Sequence, residues 1–208
     1  MDIYKTEEEQ VEAIKQWWKD NSVSLIAGVA IGVAVLAGYS YWDGNKKNQA
    51  QDASVLYSEV QSASDKSENT LKLQSDFSAT PYAALASLLL AKDNVDANEL
   101  DKAVVQLKWV IDNNHDEGVE HISKQRLARL YLAQDKVELA EALIKGVKAA
   151  GFDAAYNEIQ GDINLAKNLP VQAKELYRLA LSALPQGDQR YAIIKMKLDD
   201  LSQASKAK

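Results

Sequence analysis

The sequence predicts an all-α protein in which one membrane-crossing helix precedes a stack of helical hairpins closed by a carboxy-terminal capping helix. Three observations carry that expectation. Residues 21 to 42 hold no charged side chain and are mostly Val, Ile, Leu, Ala and Gly. Small residues recur 33 positions apart further on, at Ala128 and Gly161 and again at Ala140 and Ala173. With only 3 prolines and 9 glycines in 208 residues, and abundant Ala, Leu, Lys, Glu and Gln, the chain is rich in strong helix formers.

The apolar run divides the chain into an acidic amphipathic tail (1–21), a transmembrane helix (22–42) and a block of 166 residues (43–208) large enough to bury its own core. A helix rising about 1.5 Å per residue needs roughly 20 apolar residues to cross the hydrocarbon core. Trp17 and Trp18 before the run, and Tyr39, Tyr41 and Trp42 after it, place amphipathic rings at the two interfaces. A cleaved secretory signal has a basic start and a shorter apolar centre, whereas this tail is acidic and the run is long. A retained anchor is therefore expected. In the tail, Val11, Ile14 and Trp18 share a helical face, so the helix is expected to begin before the span as an amphipathic segment. Ser24, Gly28 and Gly32 recur every fourth position and form a candidate contact stripe for another membrane helix. Lys5, Lys15 and Lys19 precede the span and Lys46 and Lys47 follow it, a bias toward a cytoplasmic amino terminus and an external domain.

The net charge of −6 argues against a nucleic-acid partner, which would require a basic excess facing phosphates. The absence of cysteine removes disulfides, thiolate metal ligands and a cysteine nucleophile.

The 33-residue offset is close to the roughly 34-residue period of tetratricopeptide repeats, in which two antiparallel helices meet through small side chains. Ala128 against Ala140, and Gly161 against Ala173, are the expected contact points. Pro170 suits the first turn of a helix, and Pro185 falls where the last hairpin should stop. Gln134–Val137 and Lys167–Pro170 read as short polar turns. An earlier pair, Tyr82–Ala91 and Glu99–Ile111, supplies Ala103 as the small residue of its second helix, 37 positions before Ala140. Ahead of it, Ala53, Leu56, Tyr57 and Val60 recur at helical spacing, and Leu71, Leu73 and Phe77 follow after Ser67–Asn69, an entry hairpin whose first helix runs on from the span. Ala192, Ile193, Met196, Leu198 and Leu201 predict the capping helix, with fraying expected from Ser202 to Lys208.

No catalytic, cofactor or metal site emerges. His115 and His121, six positions apart around Gly118, read as parts of a polar loop. Carboxylates interleaved with lysines, as at Glu138, Glu141 and Lys145, read as solvated faces. Tyr57, Tyr82, Trp109, Tyr131, Phe152, Tyr156, Tyr177 and Tyr191 suit core packing, with a peptide groove as the alternative.

Tyr4, Gln10–Ile14, Gly28–Gly32, Tyr41-Trp42 and Tyr82–Leu88 together resemble the YfgM family, ancillary subunits of the bacterial SecYEG translocon. That resemblance implies a single-pass inner-membrane protein with its amino terminus in the cytoplasm and a periplasmic tetratricopeptide-like domain. It also implies association with SecYEG and the membrane-anchored chaperone PpiD, contact with secreted client chains, and no catalysis. An envelope or cell-division scaffold using the same repeats is the alternative.

Overall fold

The computed structural model describes residues 7–114 and 116–204. Tyr4, Lys5, His115 and the stretch after Ala204 lie outside the described residues. Among the described residues the regular structure is helical throughout: α1 (Glu7–Ser62), α2 (Ser67–Asp76), α3 (Pro81–Asp96), α4 (Leu100–Asn113), α5 (Glu117–Ala133), α6 (Val137–Ile144), α7 (Asp153–Ala166), α8 (Pro170–Ala183) and α9 (Arg190–Ala204). The chain separates into two compact units, Met1–Gln51 and Asp52–Lys208.

The described part of the first unit is a single stretch of α1. It is helical from Glu7 onward with no break before the apolar run. Val23, Ile26, Val29, Ile31, Val35 and Leu36 are all more than 60% exposed. An apolar surface of that length bare all round is stable only in a non-aqueous surrounding, and α1 is long and apolar enough to cross a membrane. At the carboxy-terminal side of the run, Tyr39 and Trp42 pack with ring centroids 6.2 Å apart, and Lys46 Nζ lies 4.0 Å from the Trp42 ring centroid.

The second unit begins with the last turns of α1, which bury Ala53 and Val60 against Leu73 of α2 and Ala83 and Ala86 of α3. Gln74 of α2 donates to Ser87 Oγ and to Gln106 Oε1, both at 2.8 Å, and so ties α2, α3 and α4 together. α2 starts at Ser67, so the turn expected at Ser67–Asn69 lies just before it. Three hairpins follow, α3–α4, α5–α6 and α7–α8, and α9 covers the last by burying Ile194 with Ala173, Tyr177 and Ala180. The principal core joins the hairpins through Leu107, Leu127, Tyr131, Ile159 and Ile163.

Local chemistry sets the ends. Pro81 and Pro170 stand in the first turns of α3 and α8, where a missing N–H breaks no helical bond. Leu184, extended because Pro185 follows it, ends α8. Before α9, Asp188 accepts from the Arg190 backbone N–H at 2.8 Å and from its guanidinium at 2.7 Å. The Arg190 side chain, then its N–H, holds the Asp188 carboxyl down at about 2. The helix continues through Ser202, whose hydroxyl bonds the Leu198 carbonyl at 2.9 Å, so fraying does not begin there.

His121 corrects the loop expectation. It lies in α5 and is buried at 7% exposure, because Asp116 caps that helix by accepting from Val119 N–H at 2.9 Å and Glu117 and Glu120 favour its first turn.

Candidate interaction surfaces

Ala103, Ala128, Ala140 and Ala173 each have no solvent-exposed surface, on α4, α5, α6 and α8 respectively. Ala103, Ala128 and Ala140 share one core, while Ala173 belongs to the cluster under α9. The group that fills the space over Gly161 of α7 is the ring of Tyr177. Each hairpin is closed by the same turn. Asn98, Asp135 and Asn168 sit in the left-handed region with φ of 58° to 59°. At each turn this residue donates to the carbonyl three back, and the next residue donates to the carbonyl five back: Asn98 to Val95 with Glu99 to Asn94, Asp135 to Leu132 with Lys136 to Tyr131, and Asn168 to Leu165 with Leu169 to Asn164. Asn94, Tyr131 and Asn164 are therefore structural equivalents.

The aromatics divide. Tyr131, Tyr156 and Tyr177 are buried, Tyr57, Tyr82, Trp109 and Phe152 are partly buried against the cores, and Tyr191 is half exposed. His121 Nδ1 lies 2.8 Å from the Tyr156 hydroxyl, and its ring packs 5.0 Å from that of Phe152. Burial, then the nearby Glu120 carboxylate, pushes the Tyr156 hydroxyl up to about 12.

A buried charge cluster departs from the expectation of purely solvated carboxylates. Glu158 of α7 is 6% exposed and bonds Arg129 of α5 at 3.1 Å and Lys197 of α9 at 2.8 Å. Lys197 also reaches both oxygens of Asp162 at 2.8 Å, and Asp162 accepts from the Tyr177 hydroxyl at 2.7 Å. Burial raises the Glu158 carboxyl, yet Lys197 and then Arg129 outweigh it and hold the group below the usual glutamate range. Burial first, and Asp162 second, raise the Tyr177 hydroxyl, which therefore stays protonated and donates. Glu158, Asp162, Lys197 and Tyr177 are mutually bonded, Arg129 adds one bond from the partly exposed rim, and together they tie α5, α7, α8 and α9 to one another.

Between α3 and α5 lies an open groove of about 340 Å³. Its floor is Leu88, Ala91, Leu107 and Leu130, with Val95 at one side and Lys92, Arg126 and Arg129 along its edge. A second cleft, of about 530 Å³ beside α2, mixes apolar residues such as Leu71, Leu90 and Val105 with charged ones, of which Lys66 pairs with Asp93 at 2.5 Å and Lys102 with Glu99 at 2.8 Å. In the first unit, a Cβ added at Gly28 or Gly32 would meet nothing within 4 Å, so that stripe is open. No group of three or more potential metal ligands occurs among the described residues.

The tetratricopeptide repeat-like domain family matches residues 15–203. A protein of Escherichia coli (strain K12) named ancillary SecYEG translocon subunit is 32% identical over 97% of this chain and 100% of its own length. Proteins of the same name from Neisseria gonorrhoeae (strain ATCC 700825 / FA 1090) and Haemophilus influenzae (strain ATCC 51907 / DSM 11121 / KW20 / Rd) are each 29% identical, over 97% and 95% of this chain and 100% and 99% of theirs. No solved structure matches the chain with significance. The repeated turns, the bare apolar helix and full-length similarity of this kind agree: the chain belongs to the YfgM family of ancillary SecYEG translocon subunits and carries its tetratricopeptide repeat-like domain.

Proposed function

We propose that the chain is a membrane-anchored adaptor of the SecYEG translocon. In this reading residues 1–21 are cytoplasmic, residues 22–42 cross the inner membrane and residues 43–208 form a periplasmic domain. That domain links protein export to periplasmic chaperones, PpiD among them, and meets secreted client chains. The observation that carries the reading is end-to-end similarity to proteins named for the translocon, which takes in both the apolar helix and the hairpins. The excess of lysines before the run supports the orientation. The buried polar groups engage one another in holding helices together, which suits an adaptor rather than an enzyme.

The membrane contact is assigned to Ser24, Gly28 and Gly32, whose small side chains let a partner helix approach closely. Crosslinking in intact membranes, followed by isolation of the full-length protein, tests the reading. SecYEG should be recovered with the wild type and lost with Gly28→Leu/Gly32→Leu. Recovery unchanged by the substitutions removes the stripe, and recovery of division or wall-synthesis proteins alone removes the translocon.

A further inference from the structure

We propose that the groove between α3 and α5 docks a short segment of another protein that carries carboxylate side chains next to bulky apolar ones. The floor is apolar, with Leu107 and Leu130 buried and Leu88 partly so, and at about 340 Å³ it has the size of a small ligand pocket, for which about 300 Å³ is the usual lower bound. The edge is entirely cationic. Lys92, Arg126 and Arg129 stand there, and none of the described residues lining the groove is acidic. That polarity is local, because the chain as a whole carries a net charge of −6.

The three cations differ in how much of their charge is spoken for. Lys92 pairs with Asp96 one turn along at 2.5 Å, with both side chains mostly in solvent. Arg129 uses one amino group on Glu158, and a guanidinium has five donors, so part of its fork remains for a second carboxylate. Arg126 is exposed and has no ion-pair or hydrogen-bond partner among the described residues. An arginine left unpaired beside an apolar floor favours an incoming carboxylate whose neighbour fills the floor. The occupant is a chain segment because α3 and α5 open consecutive hairpins, so the groove is lined by two successive repeats, a span that a peptide can bridge.

The inference rests on the adaptor reading only in taking the occupant to be a protein. The test uses the full-length chain in lipid nanodiscs and a fluorescent eight-residue peptide with blocked ends, in which two Leu flank two Glu. Twins carry Gln or Lys in place of Glu. The Glu peptide is expected to bind, the Gln twin at least tenfold more weakly, and added salt should weaken the Glu peptide. Arg126→Glu should reduce Glu-peptide binding at least tenfold with unfolding temperature unchanged, and Lys92→Glu/Arg126→Glu should bind the Lys twin instead. Equal binding of Glu and Gln peptides, no effect of Arg126→Glu, or a concentration-dependent self-association that Arg126→Glu dissolves would each overturn the proposal. Translocon recovery is measured on the same samples. Recovery without charge-dependent peptide binding sinks the groove alone, and peptide binding without translocon recovery sinks the adaptor reading alone.

Discussion

The ring of Tyr177 occupies the space that any side chain at Gly161 would need: a Cβ built on Gly161 would sit 2.5 Å from Tyr177 Cε1 and 2.7 Å from Cδ1. Tyr177 cannot easily withdraw, because it is fully buried and its hydroxyl is bonded to Asp162. Gly161→Ala should therefore destabilise the domain by about 1–3 kcal/mol through overpacking, even though alanine is the better helix former. In a Tyr177→Ala background the same change should be neutral or stabilising. Chemical unfolding of the single and double variants gives the coupling, and simple additivity would contradict the assignment.

Lys197 is the only cation by which α9 reaches the carboxylates of α7 among the described ion pairs. Lys197→Met should cost about 1–3 kcal/mol, since it strips a charge-assisted partner from the buried Glu158. Amide exchange should quicken in α9 first and leave α3 and α4 unchanged. The pH dependence has a fixed sign. The Glu158 carboxyl is depressed in the folded state, so its stabilisation is full above the ordinary glutamate value of about 4.3 and is lost as pH falls through the lower folded value. Wild type and Glu158→Gln should differ most near neutrality and converge below that window, which unfolding curves from pH 7 to pH 3 will show.

Left-handed backbone at Asn98, Asp135 and Asn168 predicts a common response to substitution. Valine at any of the three should cost about 1–2 kcal/mol from the Cβ clash, whereas glycine should be near neutral. Equal losses for valine and glycine at Asp135 would show that the side chain, not the backbone, matters there.

His121 and Tyr156 form a buried polar pair 2.8 Å apart. Tyr156→Phe leaves an imidazole nitrogen without its partner and should cost about 1–3 kcal/mol. His121→Phe/Tyr156→Phe should recover part of that loss, which thermal unfolding of the two variants measures.

The hairpins are legible because their signals are simple: Pro170 and Pro185 stand at the helix ends they set, and the buried alanines recur at the spacing of a repeat. Even His121 has a readable sign, since Asp116 with Glu117 and Glu120 marks a helix start, but the run of polar residues around it carries the composition of a loop. Glu158 was invisible for a different reason. Its partners Arg129 and Lys197 are 29 and 39 residues away, and no periodicity in a single sequence distinguishes a buried carboxylate from a solvated one at that range. The cationic edge of the groove was hidden likewise, because Lys92 and Arg126 belong to different hairpins and meet only when those hairpins stack.

The second helix of the middle hairpin is short, 8 residues in α6 against 14 in each of α4 and α8, and residues 145–152 beyond it include two glycines, Gly146 and Gly151, at φ of 72° and 85°. A stack whose neighbours hold one another by matched helices has one thin joint there. Proteases acting on the native protein should cut first at this joint, releasing α7–α9 as one piece and marking it as the place where the domain flexes under load.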